Sequence, residues 1–240
     1  MSGHSHWAGI KHKKGLADAK RSQIFSKLAK ELTIAARESG GGNPMAHPRV
    51  RTVMEKAKEV NMPSENVERA IKKGTGEDTV QLEEMFIEAY GPGGIALLIS
   101  AITDNRNRTI GEIKQVLQRN QGKMVEGGAV RWLFERKGVA TVDQSETNLA
   151  LQKEAFELLA IEAGAEDLYW HNRNLDMYAN PANLASLKEK LQEKGLQVTT
   201  SLDWVPKEHV QISHNNHAAA EQLFEALSNQ DDVQDIYSNL

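Results

Sequence analysis

The chain has 240 residues, 40% of them hydrophobic and 26% charged, which is globular composition and enough length for two or three small domains. It has no cysteine, which excludes disulfides, thiolate zinc sites and cysteine nucleophiles together and suits a reducing cytosol. Its net charge of −4 hides an asymmetry: residues 1–75 carry 15 Lys and Arg against 7 Asp and Glu, whereas the remainder carries 14 against 26. A first third at +8 beside an acidic remainder at −12 points to a basic module that meets a polyanion.

Residues 1–14 are polar and basic without an apolar stretch, so they do not read as a secretory signal. No run of about 18 apolar residues occurs that could span a membrane. From Asp18 to Arg37, Ile24, Phe25, Leu28, Leu32, Ala35 and Ala36 recur at helical spacing. Lys20, Lys27, Lys30 and Arg37 fall on an arc beside that stripe, and Ser39 to Gly42 stops the helix. A second helix is expected over about 47–60. A third, with Pro63 at its start and Glu65 behind it, carries Val67, Ala70 and Ile71 inward and closes at Lys72-Lys73-Gly74. Three short helices with an apolar stripe each predict a three-helix bundle.

Past Gly76 the pattern changes. Runs 81–90 and 95–103 around Gly91-Pro92-Gly93-Gly94 predict a β-hairpin. Thr109-Ile110-Gly111-Glu112 reads as a capping box opening a helix to about Asn120. Then follow strand 129–142, helix 147–164, strands 165–171 and 175–180, helix 182–195 and strand 196–204, the β-α-β-β-α-β order of a ferredoxin-like unit. A helix over 218–228 and a strand over 233–237 lack partners of their own and most simply complete the sheet begun at Gln81. The predicted class is therefore α+β multidomain. Its expected parts are a basic helical domain over 1–77, a discontinuous middle α+β domain over 78–129 and 205–240, and a ferredoxin-like domain over 130–204 inserted in it.

Catalytic patterns are missing: the glycine-rich segments match neither a P-loop nor a dinucleotide fingerprint, and no GxSxG elbow occurs. The histidines His4, His6, His12 and His47 lack the fixed carboxylate or thiolate company of a metal site. No enzyme activity, cofactor or metal is expected. The basic segment is different. Trp7 sits among His4, His6, Lys11, His12, Lys13 and Lys14, which supply cations for phosphate and an indole that stacks on a base or caps the bundle core. Lys20, Arg21, Lys27, Lys30 and Arg37 continue that surface. Arg106 and Arg108, at the start of a helix, make a second candidate contact, though acids across a domain boundary would pair with them equally well.

These same residues carry a resemblance. Gly3-His4-Ser5-His6-Trp7, Ile10 to Lys14, Asp18 to Arg21, Glu65 to Gly74, Tyr90 to Gly94, Thr103 to Thr109 and Asp232 to Asn239 closely resemble the YebC/PmpR family, which includes the mitochondrial translational activator of cytochrome oxidase. His6 stands where the family usually has lysine, and Gly15-Leu16 replaces a more polar pair. A histidine there weakens a phosphate contact at neutral pH, its unperturbed pKa being about 6.5. The resemblance implies a three-domain, cytoplasmic protein with nucleic acid as its partner. It implies two competing functions: a DNA-binding transcriptional regulator, and a translation factor on ribosomes stalled at proline runs. A protein-interaction scaffold is the third class. No helix-turn-helix with a clear recognition helix is evident, and a basic arm suits irregular ribosomal RNA as well as DNA. A monomer is expected.

Overall fold

The computed structural model describes residues 18–40, 43–76, 81–143, 153–171 and 174–240. Among them are seven α-helices and two four-stranded antiparallel sheets, an α+β protein. Helices α1 (Asp18–Glu38), α2 (Pro48–Glu59) and α3 (Ser64–Thr75) come first. Leu28, Leu32, Ala35 and Ala36 of α1 close against Val50, Val53 and Ala57 of α2 and Ala70 of α3 in one apolar cluster. This is the stripe the sequence predicts. The opposite side of α1 carries Ile34, which packs on Leu82 and Ile102 and so joins the bundle to the next unit.

Gly74, expected to close the third helix, lies inside α3, buried where that helix crosses α1. A Cβ there would collide with the backbone carbonyl oxygen of Thr33 and sit 2.8 Å from Ala36 Cβ. The Thr33 hydroxyl, donating 3.1 Å to the carbonyl of Ala70, reflects the same close approach. Alanine would gain roughly 1 kcal/mol of helix propensity, yet a clash with backbone cannot be relieved by a rotamer and costs about 2–3 kcal/mol, the upper part of the overpacking range. Gly74→Ala should therefore destabilise by about 1–2 kcal/mol in urea unfolding. An unchanged or raised midpoint would show that α3 shifts freely on α1.

The first sheet is built from β1 (Glu83–Tyr90), β2 (Ala96–Thr103), the short β3 (Lys123–Met124) and the last strand, β8 (Val233–Ser238), in the order β3-β1-β2-β8. β1 and β2 pair from Glu83↔Thr103 to Tyr90↔Ala96, the hairpin read from the glycine turn. Helices α4 (Arg106–Arg119) and α7 (His214–Ser228) cover one face, with Ile113, Leu117, Leu223 and Leu227 on Ile87, Leu97 and Ile99.

The second sheet uses β4 (Phe134–Asp143), β5 (Asp167–His171), β6 (Asn174–Ala179) and β7 (Thr199–Pro206), ordered β5-β6-β4-β7. Helices α5 (Lys153–Ala163) and α6 (Leu184–Glu193) pack Phe156, Ala160, Leu187 and Leu191 on one face of it. Trp204 of β7 meets Phe86 of β1 edge-on at 5.9 Å, where the two sheets adjoin.

Several boundaries differ from the sequence reading for local reasons. The helix expected to open at Thr109 opens at Arg106, because the Asn105 side chain accepts from Arg108 N–H at 3.1 Å and caps it. Thr109 is thus inside the helix, with its hydroxyl turned to Asp232. The strand expected from Ala129 begins at Phe134, since 131–133 form a short 3₁₀ turn. The last helix starts at His214, four residues earlier than expected, and the first residues of the helix expected over 147–164 lie outside the described residues.

Candidate nucleic-acid interface

His4, His6, Trp7, Lys11, His12, Lys13 and Lys14 lie outside the described residues. Along α1, the basic arc read from the sequence divides in two. Lys20, Arg21 and Arg37 are exposed. Lys20 stands 3.7 Å from Glu225 with both side chains more than half exposed, a contact that solvent screens to little. Arg37 lies in the last turn of α1, where the helix dipole favours a cation.

Lys27 and Lys30 turn onto another part of the chain. Lys27 is 7% exposed and donates 2.7 Å to the carbonyl of Ser228, at the end of α7. Burial lowers its pKa to about 8, with Asp235 and Asp231 pulling it back upward. Lys30 donates to the carboxylate of Asp232 at 2.6 Å and to the carbonyl of Asp231 at 3.0 Å. A helical wheel of α1 alone cannot show this, because the groups that cover the two lysines come from about 200 residues further on.

Asp232 is the centre of that joint. Besides Lys30 it accepts from Arg108 at 3.0 Å and from the Thr109 hydroxyl at 2.6 Å. Burial alone would raise its pKa, but these hydrogen bonds and the charge of Lys30 outweigh burial and hold it at about 2. Arg108 also reaches Asp104 at 2.7 Å, while Arg106 is exposed and only loosely opposite Glu83 at 3.8 Å. Acids do pair with both arginines, tightly for Arg108 and loosely for Arg106, but Glu83, Asp104 and Asp232 belong to the same unit as the arginines and do not reach them across a domain boundary as expected.

This joint brings together two basic regions that lie far apart in the sequence. A cleft of about 590 Å³ runs between α1, α3 and the loop before α4. Lys30, Arg69, Lys73 and Arg108 line it against a single acid, Asp104, with Phe25 and Met62 among its apolar residues. The sequence reading does not single out Arg69 and Lys73. They lie one helical turn apart on an exposed face of α3, and with Asn66 they form a polar stripe at 66, 69 and 73. That spacing is the available signal, and it lies within the motif from Glu65 to Gly74, which stands out as a resemblance rather than as a surface.

Elsewhere, ionic groups tie helices together within the bundle and the bundle to both sheet units. Lys56 of α2 pairs with Glu31 of α1 at 3.2 Å, and Lys188 of α6 reaches Glu55 of α2 at 3.3 Å. Arg49 of α2 bridges Glu38 and Glu84 of β1. Asp203 of β7 has its pKa raised to about 6 by burial and by Asp235 nearby. Among the described residues, no group of three or more His, Asp or Glu is placed to hold a metal ion, and no helix is long and apolar enough to cross a membrane.

Comparison with known proteins places this arrangement. Residues 5–77 match the family described as the TACO1/YebC protein N-terminal domain, and residues 82–240 match the TACO1/YebC second and third domain. A protein of Pseudothermotoga lettingae is 48% identical over the whole chain, which covers 93% of that relative; one of Petrotoga mobilis is 49% identical, with 94% of it covered. Both are named probable transcriptional regulatory protein. The crystal structure of a conserved hypothetical protein from Aquifex aeolicus superposes with a TM-score of 0.85 at 42% identity, over 98% of this chain and 96% of that one. With both of its matched segments assigned and relatives aligned along its whole length, the chain belongs to the TACO1/YebC family.

Proposed function

We propose that this protein is a non-catalytic, cytoplasmic regulator of gene expression that binds nucleic acid through its basic helical module, as a DNA-binding transcriptional regulator. The names of its relatives support a regulatory role. The observation that carries nucleic-acid binding is the exposed basic face of α1, Lys20, Arg21 and Arg37, in a first third where 15 Lys and Arg outnumber 7 Asp and Glu. Cations so gathered draw in phosphates and release their counterions. The arm residues His4, His6, Trp7, Lys11, His12, Lys13 and Lys14 would extend the contact, with Lys20, Arg21, Arg37 and Arg106 adding long-range attraction. The architecture proposed with it is a basic domain over 1–77, a middle domain over 78–129 and 205–240, and a ferredoxin-like domain over 130–204 inserted in the middle one. Supporting the last is the strand order β5-β6-β4-β7, that of a split β-α-β unit.

A second reading, a ribosome-associated translation factor, is favoured by one observation. Arg108 of the middle unit is fixed to α1 through Asp232, so contacts from two units are held in one orientation, as a crowded RNA surface requires. The test is paired: gel-shift affinity for duplex DNA, and co-sedimentation with ribosomes, at several salt concentrations. In the full chain, Lys11, Lys13 and Lys14 are replaced together by glutamine. Duplex affinity should fall about tenfold or more, and its salt slope should flatten by roughly 0.9 for each phosphate no longer neutralised. Unchanged duplex affinity with lost ribosome association would turn the assignment to translation. Binding to neither, by the unaltered protein, would end the nucleic-acid reading.

A further inference from the structure

We infer that the cleft between α1, α3 and the start of α4 takes a single unpaired nucleotide, its phosphate on Arg69 and Lys73 and its base against Phe25. This rests on the nucleic-acid reading above and adds the form of ligand. Four observations carry it.

The size is the first. About 590 Å³ is the scale of a small-molecule pocket. A duplex presents its phosphates on a convex surface with its bases stacked inside, so it cannot enter such a cleft. A single strand, or a base swung out of its stack, can.

The second is how the four cations divide. Lys30 and Arg108 are already held by Asp232, and Arg108 also by Asp104. They fix the cleft wall and set its potential. Arg69 and Lys73 are exposed, and among the described residues no carboxylate pairs with them. They point from the same side of α3 and are the cations available to an incoming phosphate.

The third is the lining away from the cations. Phe25 is half-buried on α1, leaving part of an aromatic surface toward the cleft, with Ala29 and Met62 beside it. Bases stack on aromatic rings without regard to sequence. Fourth, Ser22, Ser26 and Asn66 add short polar groups that donate to or accept from a base edge or a sugar hydroxyl. Aromatic, cationic and small polar groups in one cleft match the three parts of a nucleotide.

The test uses the full chain and fluorescence anisotropy with a short labelled RNA single strand, the DNA single strand of the same sequence, and its duplex. The variants are Arg69→Ala with Lys73→Ala, and Phe25→Leu, which keeps apolar packing in the bundle but removes the ring. Both should weaken single-strand binding about tenfold, the effect of removing a stacked base or two phosphate partners, and leave duplex binding near the unaltered value. The Arg69/Lys73 variant should also flatten the single-strand salt slope by roughly 0.7 per phosphate, while Phe25→Leu should not. An RNA strand losing more than the DNA strand assigns the sugar hydroxyl to the site; equal losses assign phosphate and base alone. Unchanged single-strand binding by both variants, while glutamine at Lys11, Lys13 and Lys14 abolishes it, would overturn the cleft and leave the basic arm as the binding element. Equal losses on single strand and duplex would overturn it too, reducing the cleft to general electrostatic attraction. An unaltered protein that binds none of the three probes would overturn the nucleic-acid reading itself.

Discussion

Asp232→Ala is expected to lower the unfolding free energy by about 3 kcal/mol, the low end of what removing one partner of a buried ion pair costs. The low end applies because the partners are not equally trapped. The side chains of Lys30 and Arg108 are 25% and 45% exposed and can recover water, whereas the Thr109 hydroxyl is buried. The larger consequence is positional. Asp232 is the group at which α1 of the bundle and the start of α4 meet, and its own carbonyl accepts from Ile102 N–H at 2.8 Å beside β2. Its removal should loosen the bundle on the first sheet and widen the cleft before either unit unfolds. Asp232→Asn, which keeps the shape and loses the charge, should cost roughly half as much.

The same carboxylate sets a pH dependence. Its pKa is lowered from the ordinary 3.8 to about 2 in the folded protein, so its stabilisation is fully present above about pH 4 and is lost as pH falls toward 2. Urea unfolding of the unaltered protein and the asparagine variant at neutral pH and near pH 3 gives the check. The gap between them should narrow in acid. A gap that is constant with pH, or an alanine variant as stable as the unaltered protein, would show that Asp232 does not hold the joint.

Much of the fold is legible in the sequence because its signals are local. The stripe from Ile24 to Ala36, the turn at Gly91 to Gly94 and the alternation of strands and helices from β4 to β7 each follow from the periodicity of a short segment. What is not legible depends on segments far apart. Lys27 reads as a surface lysine until the Ser228 carbonyl is placed over it. Thr109 begins a plausible capping box, yet Asn105 caps the helix and Thr109 answers an aspartate 123 residues away. The candidate site shows the same division. Arg108 reads as an anion contact at a helix start, but the cleft it lines forms only where α1, α3 with its Arg69 and Lys73, and the start of α4 come together, Asp232 being one of the groups that tie α1 to α4.

Glu88→Ala should destabilise the protein by about 3 kcal/mol, because three backbone donors lose their acceptor at once. Glu88 sits on β1 at 6% exposure, on the face of the first sheet away from α4 and α7. Its carboxylate accepts from the N–H groups of Gly128 at 2.6 Å, Val130 at 2.7 Å and Arg131 at 2.9 Å. Burial would raise its pKa, but those three bonds and the nearby Arg131 charge hold it below the ordinary glutamate range. Gly128 and Arg131 are exposed and can turn to water, whereas Val130 is fully buried, so the full sum of three broken bonds is not reached. The segment pinned in this way is the crossing from the first sheet to the second. Its Arg131 also places a guanidinium 4.7 Å from the ring of Trp204 and 5.4 Å from that of Phe86, between the two sheets. Amide hydrogen exchange separates this local role from general destabilisation: in Glu88→Ala, Val130 and Arg131 should lose protection well before Leu97 and Ile99 in the sheet core. Glu88→Gln keeps one acceptor oxygen and should lose about half as much stability. Because the folded pKa is depressed, the contribution of Glu88 holds at neutral pH and fades as acid protonates the folded carboxylate, so the glutamine variant should approach the unaltered protein only under acid conditions. Equal protection of Val130 in all three proteins would mean that the crossing is held by the Arg131 stack and not by Glu88.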